Sequence, residues 1–301
     1  MELFRALAVF AEPPSLESAP VARALGLGAL PEASEHTDIF VFQLYPYASI
    51  YLGAEGMLGG AARDLIAGFW RALRQTPPPE PDHLSVMLAL YAELAGHEAN
   101  EPDDARRESW RRARSAFLWE HLLSWLPVYL SKLKEIATPF YMRWGEILLD
   151  ALLAEAQATR TPEPELSLHL RDMAGAGLVD PREGATGDFL QTLLSPARSG
   201  MILVRSDLTR AARTLELGLR IGERKYVIES LFAQDARGVL DWLAREAANW
   251  SESHRQQHAA LAGVARAWEA KAVASARLLE ELKAATDDEA QTTSGGSKQT
   301  Q

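Results

Sequence analysis

Apolar residues recur along this chain at spacings of three and four, the period of one helix face. Leu65, Ile66, Phe69, Trp70 and Leu73 form one such series, and Leu84, Met87, Leu88, Tyr91 and Leu94 form another. Phe117 to Leu133 repeats the pattern with large aromatics, and Trp144 to Leu153 continues it. Strands would alternate with a period of two and draw on Val, Ile and Thr, whereas Leu, Ala, Arg and Glu dominate here. Ile39-Phe40-Val41-Phe42 also reads as a short strand. The Tyr-Pro-Tyr segment that follows leads into more helical pattern, which favours helix.

Punctuation falls between these series. Gly53, Gly56, Gly59 and Gly60 separate two apolar segments, and Pro77 to Pro79 stop a helix ending near Arg74. Glu98 to Asp104 reads as a polar connection, and Gly175 to Gly187 as a long loop. Thr161 to Glu165, with Pro162 and Pro164, is a candidate domain boundary. Ser206-Asp207 looks like a cap before a helix over Leu208 to Leu219, with Gly222 as a stop. Asp235 caps a helix to about Trp250, and a last helix covers His254 to Ala284. The polar tail should be disordered. The expectation is an all-α protein: a helical bundle over 1–160, a second helical part over 166–284, and a disordered tail over 285–301.

Composition narrows the function. Apolar residues make up 47% of the 301-residue chain, enough for a sizeable core. Lys plus Arg total 31 against 41 Asp plus Glu, a formal net charge of -10. That balance argues against nucleic acid as a general partner and permits a basic one, such as a cationic peptide. With no cysteine, disulfides, thiolate metal sites and thiol nucleophiles are excluded. Met1-Glu2-Leu3-Phe4-Arg5 is not a basic start, and the short apolar run after it breaks at Glu12-Pro13-Pro14, so it does not read as a signal peptide. Ile39 to Leu52, the most apolar later stretch, is broken by Gln43 and Pro46 and falls short of the ~20 residues of a membrane span. The expectation is a cytoplasmic protein.

Two constellations could carry chemistry. Glu80-Pro81-Asp82-His83-Leu84 follows the triple proline. Pro81 suits a first helical position and Asp82 a first turn, so the segment reads as a well-started helix. His83 is not required by such a start, and beside two carboxylates it could bind a peptide backbone or a guanidinium. In the second, Phe117, His121 and Trp125 are spaced by four and share a helix face, with Pro127 soon ending or kinking that helix. By itself this is a core-facing aromatic stripe. His254 and His258 are four apart but have no evident third ligand besides Glu252, so no metal is expected. The glycines from Gly53 to Gly60 are not followed by the Lys-Ser/Thr of a phosphate loop. Arg106, Arg107, Arg111, Arg112 and Arg114 lie among acids and read as a solvated face.

Glu80-Pro81-Asp82-His83-Leu84, followed some forty residues later by Phe117, Glu120-His121-Leu122, Trp125 and Pro127, resembles the paired signatures of the TorD/DmsD/NarJ family. Tyr45 to Gly53 also resembles an early helix of that family, and the likeness covers about residues 37–155. Pro196 to Gly200 and Gly218 to Arg224 resemble the C-terminal extension of its longer members. Members are dedicated chaperones of molybdopterin-containing oxidoreductases. The resemblance implies a non-enzymatic, cofactor-free binding protein, monomer or homodimer. It would hold the catalytic-subunit precursor, through its twin-arginine leader or its folded body, until cofactor insertion and before export. Such a leader joins a basic segment to an apolar, helix-prone one, which a groove between amphipathic helices could take. On this reading Glu80, Asp82 and His83 line the peptide site, with His121 and Trp125 on a neighbouring helix. Two other readings remain: a helical scaffold without a molybdoenzyme client, and an enzyme using Asp82, His83 and His121 as acid and base, which would need a deep pocket there.

Overall fold

The computed structural model describes residues 2–159, 167–175 and 177–296. Among these every regular element is helical, and the extended pairing is a single antiparallel bridge between Tyr47 and His83. The first part contains α1 (Glu2–Ala8), α2 (Ala19–Ala24), α3 (Ala33–His36), α4 (Ala48–Leu52), α5 (Gly60–Ala72), α6 (Leu84–Asn100), α7 (Asp104–Phe117), α8 (Leu126–Ile136) and α9 (Pro139–Ala158). The second contains α10 (Leu168–Ala174), α11 (Thr186–Leu193), α12 (Pro196–Ser199), α13 (Arg205–Thr214), α14 (Arg224–Gln234), α15 (Ala236–Gln256) and α16 (His258–Gly296), the last kinked at Ala262. The proline-rich stretch at 161–165 and residues 297–301 of the expected tail lie outside the described residues. The helix α16 continues through 285–296, where the sequence leads one to expect disorder. Among the described residues no helix is long and apolar enough to cross a membrane.

The apolar series bury as their spacing requires. Leu84, Met87, Leu88, Tyr91 and Leu94 of α6 are all core residues. Tyr91 meets Phe4 of α1 edge-on at 4.8 Å, and the Trp144 indole of α9 donates to the Leu7 carbonyl at 2.9 Å. Helices α8 and α9 pack closely at Gly145, where a Cβ would stand 3.0 Å from Leu133 Cδ2. Arg107 and Arg111 pair with Asp104 and Glu108 on the exposed face of α7, while Arg114 turns inward to Glu98, Glu155 and the Tyr91 hydroxyl.

One apolar core runs through both parts. Trp268 of α16 is fully buried and donates to the Ser124 carbonyl at 2.8 Å. Lys132 of α8 and Asp207 of α13, both fully buried, meet at 2.9 Å. His254 of α15 contacts the Gly200 carbonyl at 2.9 Å. Gly200 has φ +73°, and a Cβ there would fall 2.4 Å from the Ala272 nitrogen, so only glycine permits this approach of α16.

Four local expectations are corrected. Pro81 and Asp82 do not open a helix: α6 begins at Leu84 and His83 is its cap, its Nδ1 accepting from the Ser85 amide at 3.3 Å. Residues 80–82 instead turn, with the His83 amide donating to the Glu80 carbonyl at 3.2 Å, and His83 pairs strand-like with Tyr47. Phe117, His121 and Trp125 do not share one regular face. The chain widens to a π-helix over Leu118–Leu122, with the Leu123 amide donating to the Leu118 carbonyl at 2.8 Å, and then turns. Pro127 therefore starts α8 rather than ending a helix. The helix after Asp207 stops at Thr214, followed by Glu216 at φ +57°. Ile39 to Phe42 is helical as favoured, in a π-helix over Thr37–Gln43.

Candidate functional site

The site is organised around α4, a helix of five residues. Its first amides have no intrahelical acceptor, and the segment before α6 supplies them. The Asp82 carbonyl accepts from the Ala48 amide at 3.0 Å and its carboxylate from the Ser49 amide at 3.3 Å, while the Pro46 carbonyl accepts from the Leu84 amide at 2.8 Å. Asp82 is thus a cap, but for α4 rather than for its own helix, and it is only 2% exposed.

Around this bridge lies an acidic cluster. The Tyr47 hydroxyl donates to exposed Glu80 at 2.9 Å, and burial together with that carboxylate pushes the phenol up to about 12. The Ser85 hydroxyl donates to Glu12 at 2.5 Å, and His83 Nδ1 stands 3.4 Å from the same carboxylate. The His83 ring rests edge-on against Tyr47 at 4.8 Å. Burial lowers the His83 pKa against the pull of Glu12, Glu80 and Asp82, consistent with a neutral capping imidazole. Glu12 and Glu80 therefore present carboxylates to solvent, while Asp82 and His83 hold the backbone that carries them.

At the other end of α4 a pocket of about 250 Å³ opens between the 53–60 loop, the start of α5, and α10 and α12. Its walls include Leu52, Ala62 and Leu65, with Met57 and Leu58 on the rim, 61% and 60% exposed. The two ends communicate through Ser49: its amide donates to Asp82, and its hydroxyl accepts from the Gly59 amide of the loop at 3.1 Å. Three side chains of the second part grip the same loop by its backbone. Gln191 donates to the Glu55 carbonyl at 2.8 Å, Ser195 to the Ala54 carbonyl at 3.0 Å, and Arg198 to the Ala54 carbonyl at 3.4 Å.

His121 and Trp125 stand behind these surfaces. His121 Nδ1 lies 2.9 Å from Nε2 of His169, which lines the pocket, and its ring packs against Phe69 and Phe117. Burial, reinforced by His169, lowers His121 to about 3. Trp125 is fully buried, stacks on Tyr51 of α4 at 5.3 Å, and donates to the His121 carbonyl at 2.9 Å. So Glu80, Asp82 and His83 come together at one end of α4, whereas His121 and Trp125 support the other end and its underside. Asp82 and His83 have no contact with His121 among the described residues, so the acid–base cluster is not assembled. Nor do the described residues contain a group of three His, Asp or Glu able to hold a metal ion.

Residues 19–130 match the model of the nitrate reductase delta subunit family. Curated relatives named chaperone protein TorD are also similar to part of the chain. The protein from Photobacterium profundum is 33% identical over 93 residues, 30% of this chain and 43% of the relative. That from Vibrio cholerae is 32% identical over 108 residues, 33% and 49% respectively. That from Vibrio vulnificus is 31% identical over 111 residues, 34% and 52%. Over this part the chain is similar to the nitrate reductase delta subunit family and to chaperones named TorD. The chain spans about half the length of the curated relatives it matches. No solved structure gives a significant match. The matched segment, 19–130, contains α4, the 53–60 loop, Glu80 to Leu84 and the 117–125 turn. Glu12, His169 and Arg198 lie outside it.

Sequence reasoning alone missed Glu12, which reaches Ser85 across 73 positions and leaves no local signal. It missed Ser49 for the same reason. Met57 and Leu58 did leave one: two large apolar residues inside a glycine-rich loop, where burial is difficult.

Proposed function

We propose that this chain is a cytoplasmic maturation chaperone that binds the precursor of a molybdopterin-containing oxidoreductase subunit through its twin-arginine leader, before cofactor insertion and export. The observation that supports this reading is the placement of carboxylates and an apolar pocket at opposite ends of α4. A five-residue helix is about 7.5 Å long, so one short peptide can reach both. Its arginines would meet Glu80 and Glu12, where charge-assisted hydrogen bonds are available. Its apolar residues would enter between Met57, Leu58 and Leu65. Asp82 and His83 shape the acidic end. His121 supports the pocket through His169, and Trp125 fixes Tyr51 and with it α4.

Calorimetric titration of the chain with a synthetic twin-arginine leader tests the reading. Binding should weaken about tenfold when Glu12→Gln and Glu80→Gln are combined, the equivalent of one lost charged contact. A leader that does not bind the unaltered chain would sink the proposal.

A further inference from the structure

Arg198 is not explained by a leader that is only basic and apolar. Its guanidinium lies on the lining of the pocket beside Leu52, Ala62 and Leu65. An arginine cannot shed its charge at any working pH, and among the described residues no carboxylate stands within 4 Å of this one. Its polar contact is the Ala54 carbonyl at 3.4 Å. Lys271, nearby, carries charge of the same sign, and its pKa is lowered by burial and then by Arg198. Glu55 is the acid of the lining; it is exposed on the rim and forms no ion pair with Arg198 among the described residues. The first turn of α5, at Gly60 to Ala62, faces the same space and adds a field of the same sign. A largely apolar pocket whose positive charge no carboxylate among the described residues pairs with is complementary to an apolar ligand bearing an anion.

Resting on the leader reading above, we propose that Arg198 is a specificity-determining residue which selects client segments carrying a carboxylate beyond the apolar residues that follow, or precede, the arginines. The charge order of the site is then acidic at Glu12 and Glu80, apolar at Met57 and Leu58, and basic at Arg198, and the segment it accepts has the inverse order. An extended peptide advances about 3.3 Å per residue, so the roughly 7.5 Å length of α4 is about two residue steps, and one or two apolar residues would separate the arginines from the carboxylate. Arg198 belongs to α12, outside the family-matched segment. The selectivity is thus contributed by the second part of this chain.

Six synthetic peptides test this on the full chain by fluorescence anisotropy. Each has two arginines, two apolar residues and a terminal-side Glu, Gln or Lys, made in both chain directions with blocked ends. In the better-binding direction, the unaltered protein should bind the Glu peptide about tenfold tighter than the Gln peptide, with the Lys peptide weakest. Arg198→Gln should abolish that difference. Arg198→Glu should reverse it in favour of Lys, while Glu55→Gln should leave the order unchanged. Gln191 and Ser195 still hold the loop in the Arg198 variants, and a reversed preference cannot come from unfolding. Equal affinity of the unaltered protein for all three residues would overturn the selectivity and leave the leader reading standing. Failure of every peptide to bind would overturn both.

Discussion

Removing the Asp82 carboxylate takes away the acceptor of the Ser49 amide, and with it the link from the acidic cluster to the Gly59 amide of the pocket loop. Asp82→Ala should cost about 1–2 kcal/mol in urea unfolding, the range of a lost helix cap. Helical content by circular dichroism should be unchanged and leader affinity reduced. Loss of helicity would mean that the residue serves folding alone. Histidines give a second consequence at this scale. Burial lowers His121 to about 3 and His254 to about 4, below the ordinary 6.5. Below pH 6.5 the unfolded chain takes up protons that the folded chain refuses. Stability is therefore full above that value and declines as pH falls toward 4, by up to about 1.4 kcal/mol per pH unit for each histidine. Unfolding midpoints at pH 7 and pH 5 should differ in that direction, and His121→Phe should flatten the slope. That Glu80, Asp82 and His83 lie together follows from their adjacency in the sequence. That Asp82 caps a helix 33 positions earlier was not, because nothing in a local window names a distant partner.

The 117–127 segment shows where element-scale reading stops. A spacing of four promises one helix face only while the helix keeps 3.6 residues per turn. The π-helix over Leu118–Leu122 breaks that register and lets His121 face His169 while Trp125 stacks on Tyr51. Single insertions of this kind leave no signature in apolar periodicity. Pro127 decides between the two pictures experimentally. At the start of α8 it fits its own fixed φ, so Pro127→Ala should destabilise by about 0.4–1 kcal/mol. Inside a continuous helix the same change would stabilise by relieving a lost hydrogen bond. The apolar series of α5 and α6, by contrast, were readable throughout, since strong 3.6-residue periodicity over a long window is decided by burial alone.

At the scale of the molecule, the two parts share a core that sequence could not join, because its contacts cross long separations: 48 positions from His121 to His169, 75 from Lys132 to Asp207 and 144 from Ser124 to Trp268. Lys132 and Asp207 are the test of that union. Lys132→Met leaves Asp207 with Arg210 at 3.1 Å as its remaining cation, so the cost should fall below the ~3–5 kcal/mol of a fully stranded buried charge. Adding Asp207→Asn should recover much of the loss while retaining an acceptor for the Val204 amide, which the Asp207 carboxylate holds at 2.8 Å. A single unfolding transition in both variants would show that the parts unfold together, and two transitions that they do not. The grip of Gln191, Ser195 and Arg198 on the 53–60 loop has one more consequence. All three fasten carbonyl oxygens, which every amino acid offers in the same place. Gly56 and Gly59 are fixed by their positive φ, but Met57 and Leu58 are consequently interchangeable parts: they can be exchanged to refit the pocket to a different ligand without loosening the bolts that hold its wall.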